Sequence, residues 1–434
     1  MSLEVGFMGL AALLFLLVIR VPVALALIAV SFGGIASLVG FTPAFGIVSN
    51  TPYSFVANWT MSAVPMFLLM GFVAFHAGLT GGLFQAAKAV LKNVPGGLAI
   101  SSIFACSGFA AVSGSSLACA AAMGRIAIPE MVRAGYNPSF ACGSIAAGGT
   151  IGALIPPSIL MIIFGVFAET SITQVFVGGI SIGILTAIGY SIVVLLTCWL
   201  RPDIAPRRTI VEGDLSAMEA LTAIWPVLAL MALVFGGLFS GVFIATEAGA
   251  VGALGAIVIS ALTGRLNKVI MWDSLRETLM TTASLFIIGI GASMFTRFLG
   301  ITGLSSFISS TVTGADLSYA ELMFIVVLIY LALGMFMEPF GAMLVTLPVF
   351  LPIFRAEAIS LVWFGVLVVK LLEIGMITPP VGLNVFVIRN VASKYATVMQ
   401  IFKGVTPFLL ADLVIVAVII TFPAIVLFLP DMMK

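Results

Sequence analysis

The stretch Ile151-Gly152-Ala153-Leu154-Ile155-Pro156-Pro157 and its near-copy Ile374-Gly375-Met376-Ile377-Thr378-Pro379-Pro380, 223 residues further on, decide the fold. Each Pro-Pro pair lies inside a long apolar run. Proline has no amide donor and its ring clashes with the preceding helical turn, so a helix through either run must open, near Ile155 to Pro157 and again near Thr378 to Pro380. Hydrocarbon cannot satisfy the carbonyls this frees; broken helices survive at membrane depth only where protein or a cavity covers them. The same offset carries Pro129 onto Pro352 and Ser115-Ser116 onto Glu338-Pro339. Upstream, Leu79-Thr80-Gly81 resembles Ile301-Thr302-Gly303 with the spacing slipped by one. Chance pairings of Gly and Pro are expected in a chain with 44 Gly and 20 Pro, but not a run of them at one spacing.

Composition agrees with a membrane setting. Of 434 residues 62% are apolar and 8% charged, against about 25% charged in soluble domains, and the mean hydropathy is +1.28. A net charge of +1 offers no field for nucleic acid, and one histidine, His76, cannot build a histidine metal centre. The four cysteines lie at wide spacing in apolar runs and form no CxxC pair. There is no HExxH and no GxxxxGK[ST] loop, so neither a zinc protease nor an ATP site is expected, and the chain does not read as an enzyme.

Apolar runs long enough to cross a bilayer fall near 3–19, 22–41, 62–78, 138–168, 172–200, 222–240, 243–262, 279–298, 360–390 and 404–430. The first reads as a crossing rather than a cleavable leader, because no basic segment precedes it. Residues 96–133 and 318–354 are interrupted halfway, by Ser113-Gly114-Ser115-Ser116 and by Met337-Glu338-Pro339, and read as re-entrant helical hairpins. Fourteen of the eighteen basic residues then collect on one face, which is therefore cytoplasmic and leaves both termini periplasmic. Arg207-Arg208 mark that face. Residues 201–216 form a cytoplasmic linker between a first repeat, 1–200, and a second, 217–434. Five crossings per repeat invert the second relative to the first. The expected fold is an all-α polytopic membrane protein of two inverted repeats, with about ten crossings plus two re-entrant hairpins. Inverted repeats with paired broken helices mark secondary transporters whose sites lie at the repeat interface.

Hydroxyls and freed carbonyls are hard oxygen donors suited to sodium, and a half-helix N-terminus favours an anion. Each tip can meet the break of its own repeat. That predicts one cation site from Ser113, Gly114, Ser115 and Ser116 with Gly152, Ile155 and Pro156, and another from Glu338, Pro339 and Gly341 with Gly375, Thr378 and Pro379. Small residues also simply let membrane helices pack closely. Asn384, one turn past Pro380, is the candidate polar contact to substrate, alongside Ser115 and Thr378. Among intramembrane charges, Lys370 and Glu373 at i,i+3 are expected to pair with each other, Glu247 to lie deep in its crossing, and His76 to sit at a helix end.

The segments SGSSLA (Ser113 to Ala118), IGALIPPS (Ile151 to Ser158), GVFIATEAGAVGA (Gly241 to Ala253), MEP (Met337 to Pro339) and TPPVGLN (Thr378 to Asn384) together resemble the large membrane (M) subunit of tripartite ATP-independent periplasmic (TRAP) transporters. Ile244-Ala245 departs from the family's usual Thr-Pro. The resemblance implies import of an organic acid anion, such as a C4-dicarboxylate or sialic acid, coupled to two or more sodium ions. It also implies an elevator motion in the bacterial inner membrane. Two partners are implied as well, a small four-helix membrane subunit and a periplasmic substrate-binding protein. A stand-alone sodium/dicarboxylate carrier and an ion channel are the competing readings.

Overall fold

The computed structural model describes residues 2–206 and 217–433, and among these every regular element is helical. The part of the expected linker from 207 to 216, with Arg207-Arg208, lies outside the described residues, as do Met1 and Lys434. The chain opens with α1 (Leu3–Val18), α2 (Val23–Val39), α3 (Phe41–Val56), α4 (Ala63–His76) and α5 (Gly82–Leu91). A helical pair follows, α6 (Gly97–Ser113) and α7 (Ser116–Arg133), then a broken pair, α8 (Pro138–Thr150) and α9 (Ile159–Phe167), and the long α10 (Ile172–Leu200). Four more helices, α11 (Ala217–Phe239), α12 (Ala245–Leu262), α13 (Lys268–Thr302) and α14 (Leu304–Gly314), lead into a second helical pair, α15 (Tyr319–Phe336) and α16 (Pro339–Ala356). A second broken pair, α17 (Leu361–Gly375) and α18 (Leu383–Val391), precedes the long α19 (Val398–Thr421) and the short α20 (Ala424–Asp431).

The element order from α4 to α10 therefore recurs from α13 to α19: a helix, a short helix after a Thr-Gly step, a helical pair, a broken pair and a long helix. Among the described residues, eight helices are long and apolar enough to cross a membrane. Single prolines within helices, such as Pro129 in α7 and Pro352 in α16, leave them continuous, whereas both Pro-Pro pairs open them.

Several boundaries differ from expectation. The stretches 42–61 and 299–317, which lie between the expected crossings and hairpins, contain α3 and α14. Pro43 occupies the first turn of α3, where a missing N–H costs nothing, and Gly303 joins α13 to α14 with a left-handed φ of 75°. The crossing near 279–298 is the middle of a 35-residue helix. The run 404–430 divides at Phe422-Pro423 into α19 and α20. Glu247 is not deep: it is exposed in the first turn of α12, where its Oε2 accepts the Ile244 N–H at 3.0 Å.

Two apolar cores form. One gathers α6, α7, α8 and α18 with the inward faces of α10 and α19; the other gathers α2, α4, α12, α13 and α15 to α17. The closest approach within the first is between α8 and α19. Gly143 faces Gly404, a Cβ on Gly404 would overlap the Ser139 backbone, and Ser139 Oγ donates to the Gln400 carbonyl. Without a hydrophobic force between helices in lipid, such close packing of small residues holds helices together. Gly404→Leu should therefore cost about 1–3 kcal/mol by overpacking, read as a lower thermal midpoint in detergent, while Leu at Gly33, which has open space around it, should leave the midpoint unmoved.

Candidate substrate and cation site

The first hairpin turns at Gly114, whose left-handed φ of 60° favours glycine. Ser115 follows in extended backbone as the N-cap of α7, its Oγ accepting the Ala118 N–H at 3.4 Å. This tip rests on the first break. A Cβ on Gly114 would collide with the Pro157 carbonyl, and one on Gly152 would lie 2.9 Å from Ser116 Cα and 3.0 Å from the Ser115 carbonyl oxygen. Tip and break thus interlock backbone to backbone, and glycine is required at both places. Past the break, Ser158 restarts the chain as N-cap of α9, its Oγ accepting the Met161 N–H.

The second hairpin turns at Met337-Glu338, and Pro339 opens α16 at the position where proline is best tolerated. Its first arm lies on the end of α17, where a Cβ on Gly375 would come within 2.5 Å of the Gly334 backbone. The second break is closed by a bond from the Asn384 N–H to the Met376 carbonyl, 3.0 Å.

The two tips meet at a single cavity of about 550 Å³. Ser113, Gly114, Ser115 and Ser116 from one side and Glu338 and Pro339 from the other line it, with α4 and α13 forming the opposite wall through residues such as Phe72, Thr281 and Ser284. Glu373 reaches in from α17, and Ser116 Oγ donates to its Oε2 at 2.5 Å. Two carboxylates and five hydroxyls line this space, with no Lys, Arg or His among the described residues. Such a lining is a set of hard oxygen donors and, with its carboxyls ionised, repels a bare anion.

The other candidates lie elsewhere. Gly152 backs the first tip from outside the cavity, Ile155 packs against Gly183 of α10, and Pro156 is likewise off the cavity wall. Gly341 packs against Val23 of α2. Gly375, Thr378 and Pro379 are not on the cavity wall; Thr378 Oγ1 donates to Ile374 O at 2.7 Å, and Pro379 is exposed. Asn384 is fully buried against α8, its Nδ2 donating to Ala146 O at 3.3 Å. His76 ends α4, its Nε2 3.2 Å from Glu277.

The expected Lys370–Glu373 pair does not form. Lys370 Nζ instead lies 2.5 Å from Asp412 Oδ1 and donates to Thr186 Oγ1 at 3.2 Å. Tyr190 donates to the other Asp412 oxygen at 2.8 Å and lies 3.2 Å from Thr150 Oγ1. Packing decides this: α19 presents a carboxylate straight to Lys370, which frees Glu373 to turn toward Ser116. All members of the chain are buried, and it joins the end of α8 to α10, α17 and α19.

The sequence profile described as "Tripartite ATP-independent periplasmic transporter, DctM component" matches residues 10–425. The chain belongs to this family. Among DctM-family relatives, a C4-dicarboxylate TRAP transporter large permease protein of Pseudomonas aeruginosa is 36% identical, covering 86% of this chain and 87% of its own. An ectoine/5-hydroxyectoine TRAP transporter large permease of Ruegeria pomeroyi is 32% identical over 96% of both chains. A sialic acid TRAP large permease of Vibrio cholerae is 32% identical over 91% of this chain and 94% of its own. At the level of fold, the YdaH transporter of Alcanivorax borkumensis superposes with a TM-score of 0.63 at 15% identity, covering 87% of this chain and 88% of that one. MtrF of Neisseria gonorrhoeae does so at 0.59 and 14%, covering 87% and 84%.

In this DctM-family chain the polar group that motif reading missed is Asp412. The signal was a lone carboxylate inside the apolar run 404–430. Asp412→Ala should strand Lys370 and cost about 3–5 kcal/mol, seen as lost folded yield. Replacing both partners at once, Lys370→Met with Asp412→Leu, should recover most of that yield.

Proposed function

We propose that the chain is the large membrane subunit of a sodium-driven importer of organic acid anions. Its hairpins and broken helices would move as one body against the remaining helices. The observation that carries this reading is the single cavity between the two tips, lined by Glu338, Glu373 and hydroxyls without a basic side chain. An anion gains nothing there unless cations enter with it, because the carboxylates repel it. Obligatory co-binding of this kind is what coupling requires. Two or more sodium ions would supply the positive charge, held by Ser113, Ser115, Ser116, Glu338 and Glu373. Dicarboxylates, sialic acid and ectoine, which the relatives' names mention, all bear a carboxylate.

The recurrence of element order from α4–α10 in α13–α19 supports two repeats, and five crossings in each would invert them. The interlocked tips and breaks support a moving body whose polar backbone stays covered as it travels. In a tripartite importer of this type the chain would work in the bacterial inner membrane, both termini periplasmic. It would work there with a small four-helix membrane subunit and a periplasmic binding protein that delivers substrate.

If Glu373 and Ser116 form the cation site, Glu373→Gln and Ser116→Ala should each raise the sodium concentration for half-maximal uptake. Loss of a hydrogen bond to a charged group, about 1.5–3 kcal/mol, corresponds to roughly ten- to a hundredfold. Sodium activation unchanged in both variants would refute the assignment. For the motion, cysteines replacing Ser115 and the exposed Leu25 on α2 should change separation by about 10 Å, some two helical turns, between inward- and outward-facing conditions. A separation constant to a few ångström during active uptake would leave local gating as the mechanism.

A further inference from the structure

A groove of about 1,120 Å³ runs between α10 and α19, on the far side of the helices that hold Tyr190 and Asp412. Its long walls are apolar: Ile188, Ile192 and Leu196 on α10 face Leu410, Val414 and Val418 on α19. The first five stand about half-exposed, too open for a finished core and grooved rather than flat. Polarity is confined to one end. There Arg201, the C-cap of α10, and Lys403, in the second turn of α19, line the groove with Asn137 and Ser139 at the start of α8. Both basic side chains are exposed, and among the described residues neither has an ion-pair partner. The N-termini of the 13-residue α8 and the 24-residue α19 point their positive ends at the same place.

We infer that this groove is a binding site for an anionic phospholipid, its phosphate held by Arg201 and Lys403 and one acyl chain laid along α10 and α19. The dimensions agree. From Leu200 back to Leu185 the α10 wall is about 22 Å long, enough for a chain anchored at Arg201 to pass through its leaflet, about 15 Å of hydrocarbon. Charge selects the lipid: two exposed cations and two helix N-termini favour a net-negative headgroup over a zwitterionic one. Arg201 and Lys403 also fall on the basic face of the chain, the side on which anionic lipids collect. A transmembrane helix from another subunit would fill the apolar walls equally well but leave the cationic end unmatched unless it brought a carboxylate there.

Native mass spectrometry of the detergent-purified full chain, titrated with phosphatidylglycerol or phosphatidylcholine of the same acyl chains, tests this. The wild type should hold one phosphatidylglycerol that survives activation sufficient to strip phosphatidylcholine. Arg201→Gln with Lys403→Gln should weaken phosphatidylglycerol by roughly thirtyfold, from the surface attraction of two basic residues, and leave phosphatidylcholine binding unmoved. An unchanged thermal midpoint in lipid-free detergent would show that this variant folds. A groove-filling variant, Val414→Trp, should displace the lipid while both basic residues remain. Equal retention of the two lipids by the wild type, or undiminished phosphatidylglycerol binding by the double glutamine variant, would overturn the proposal. So would a photo-cross-linker at Leu410 that captures a second polypeptide instead of lipid in the membrane.

Discussion

Backbone that has lost its helical partners cannot face hydrocarbon, and nearly everything near the centre of this molecule follows from that constraint. Two Pro-Pro pairs open two helices, and something must cover each opening. At the first, the cover is the tip of α6 and α7, fitted so closely that Gly114 and Gly152 leave no room for a methyl group. At the second, the chain folds on itself through the Asn384 to Met376 bond, and the arm of the neighbouring hairpin lies against Gly375. The two solutions are related but unequal. Pro156 and Pro157 are buried, whereas Pro379 and Pro380 are exposed.

Polar side chains tie these covered openings together across the two halves. Ser116 of the first hairpin bonds Glu373 of α17, and Thr150, Tyr190, Asp412 and Lys370 run from the end of α8 to α17. A buried ion pair contributes little net stability over an apolar replacement, yet losing one partner is costly. Its presence therefore says more about which helices must stay in register than about how firmly they are held. Here the helices in register are those that carry the breaks.

Features encoded locally were legible in the sequence, and features that depend on packing were not. Pro-Pro openings and the Gly114 turn rest on the covalent geometry of a few adjacent residues, so the hairpins and breaks emerged at nearly the right places. Partners of the buried charges could not emerge that way. Lys370 and Glu373 share a helix face, and pairing them is the sensible local expectation, but Asp412 is 42 residues and Ser116 257 residues away from their respective partners. Only the packing of α19 and α7 against α17 selects them. For the same reason the sharing of one cavity by the two hairpin tips did not emerge, because the distance between two tips is a property of the whole assembly. The helices α3 and α14 were hidden by Pro and Gly at their ends, which punctuate helices as readily as loops.

The cavity lining has an electrical consequence. The Lys370–Asp412 pair is neutral and feels no net force from a membrane potential, but Glu338 and Glu373, when ionised, add two negative charges that have no ion-pair partner among the described residues. In a carrier whose moving body bears both, the unloaded state is the more strongly charged one. With the cell interior negative, the field drives that empty body outward, by up to about 2.3 kcal/mol per charge for a full 100 mV. Cations bound there would cancel the charge and remove the push. On this arrangement, the voltage would act on the resetting of the empty carrier rather than on the crossing of the cation-loaded one.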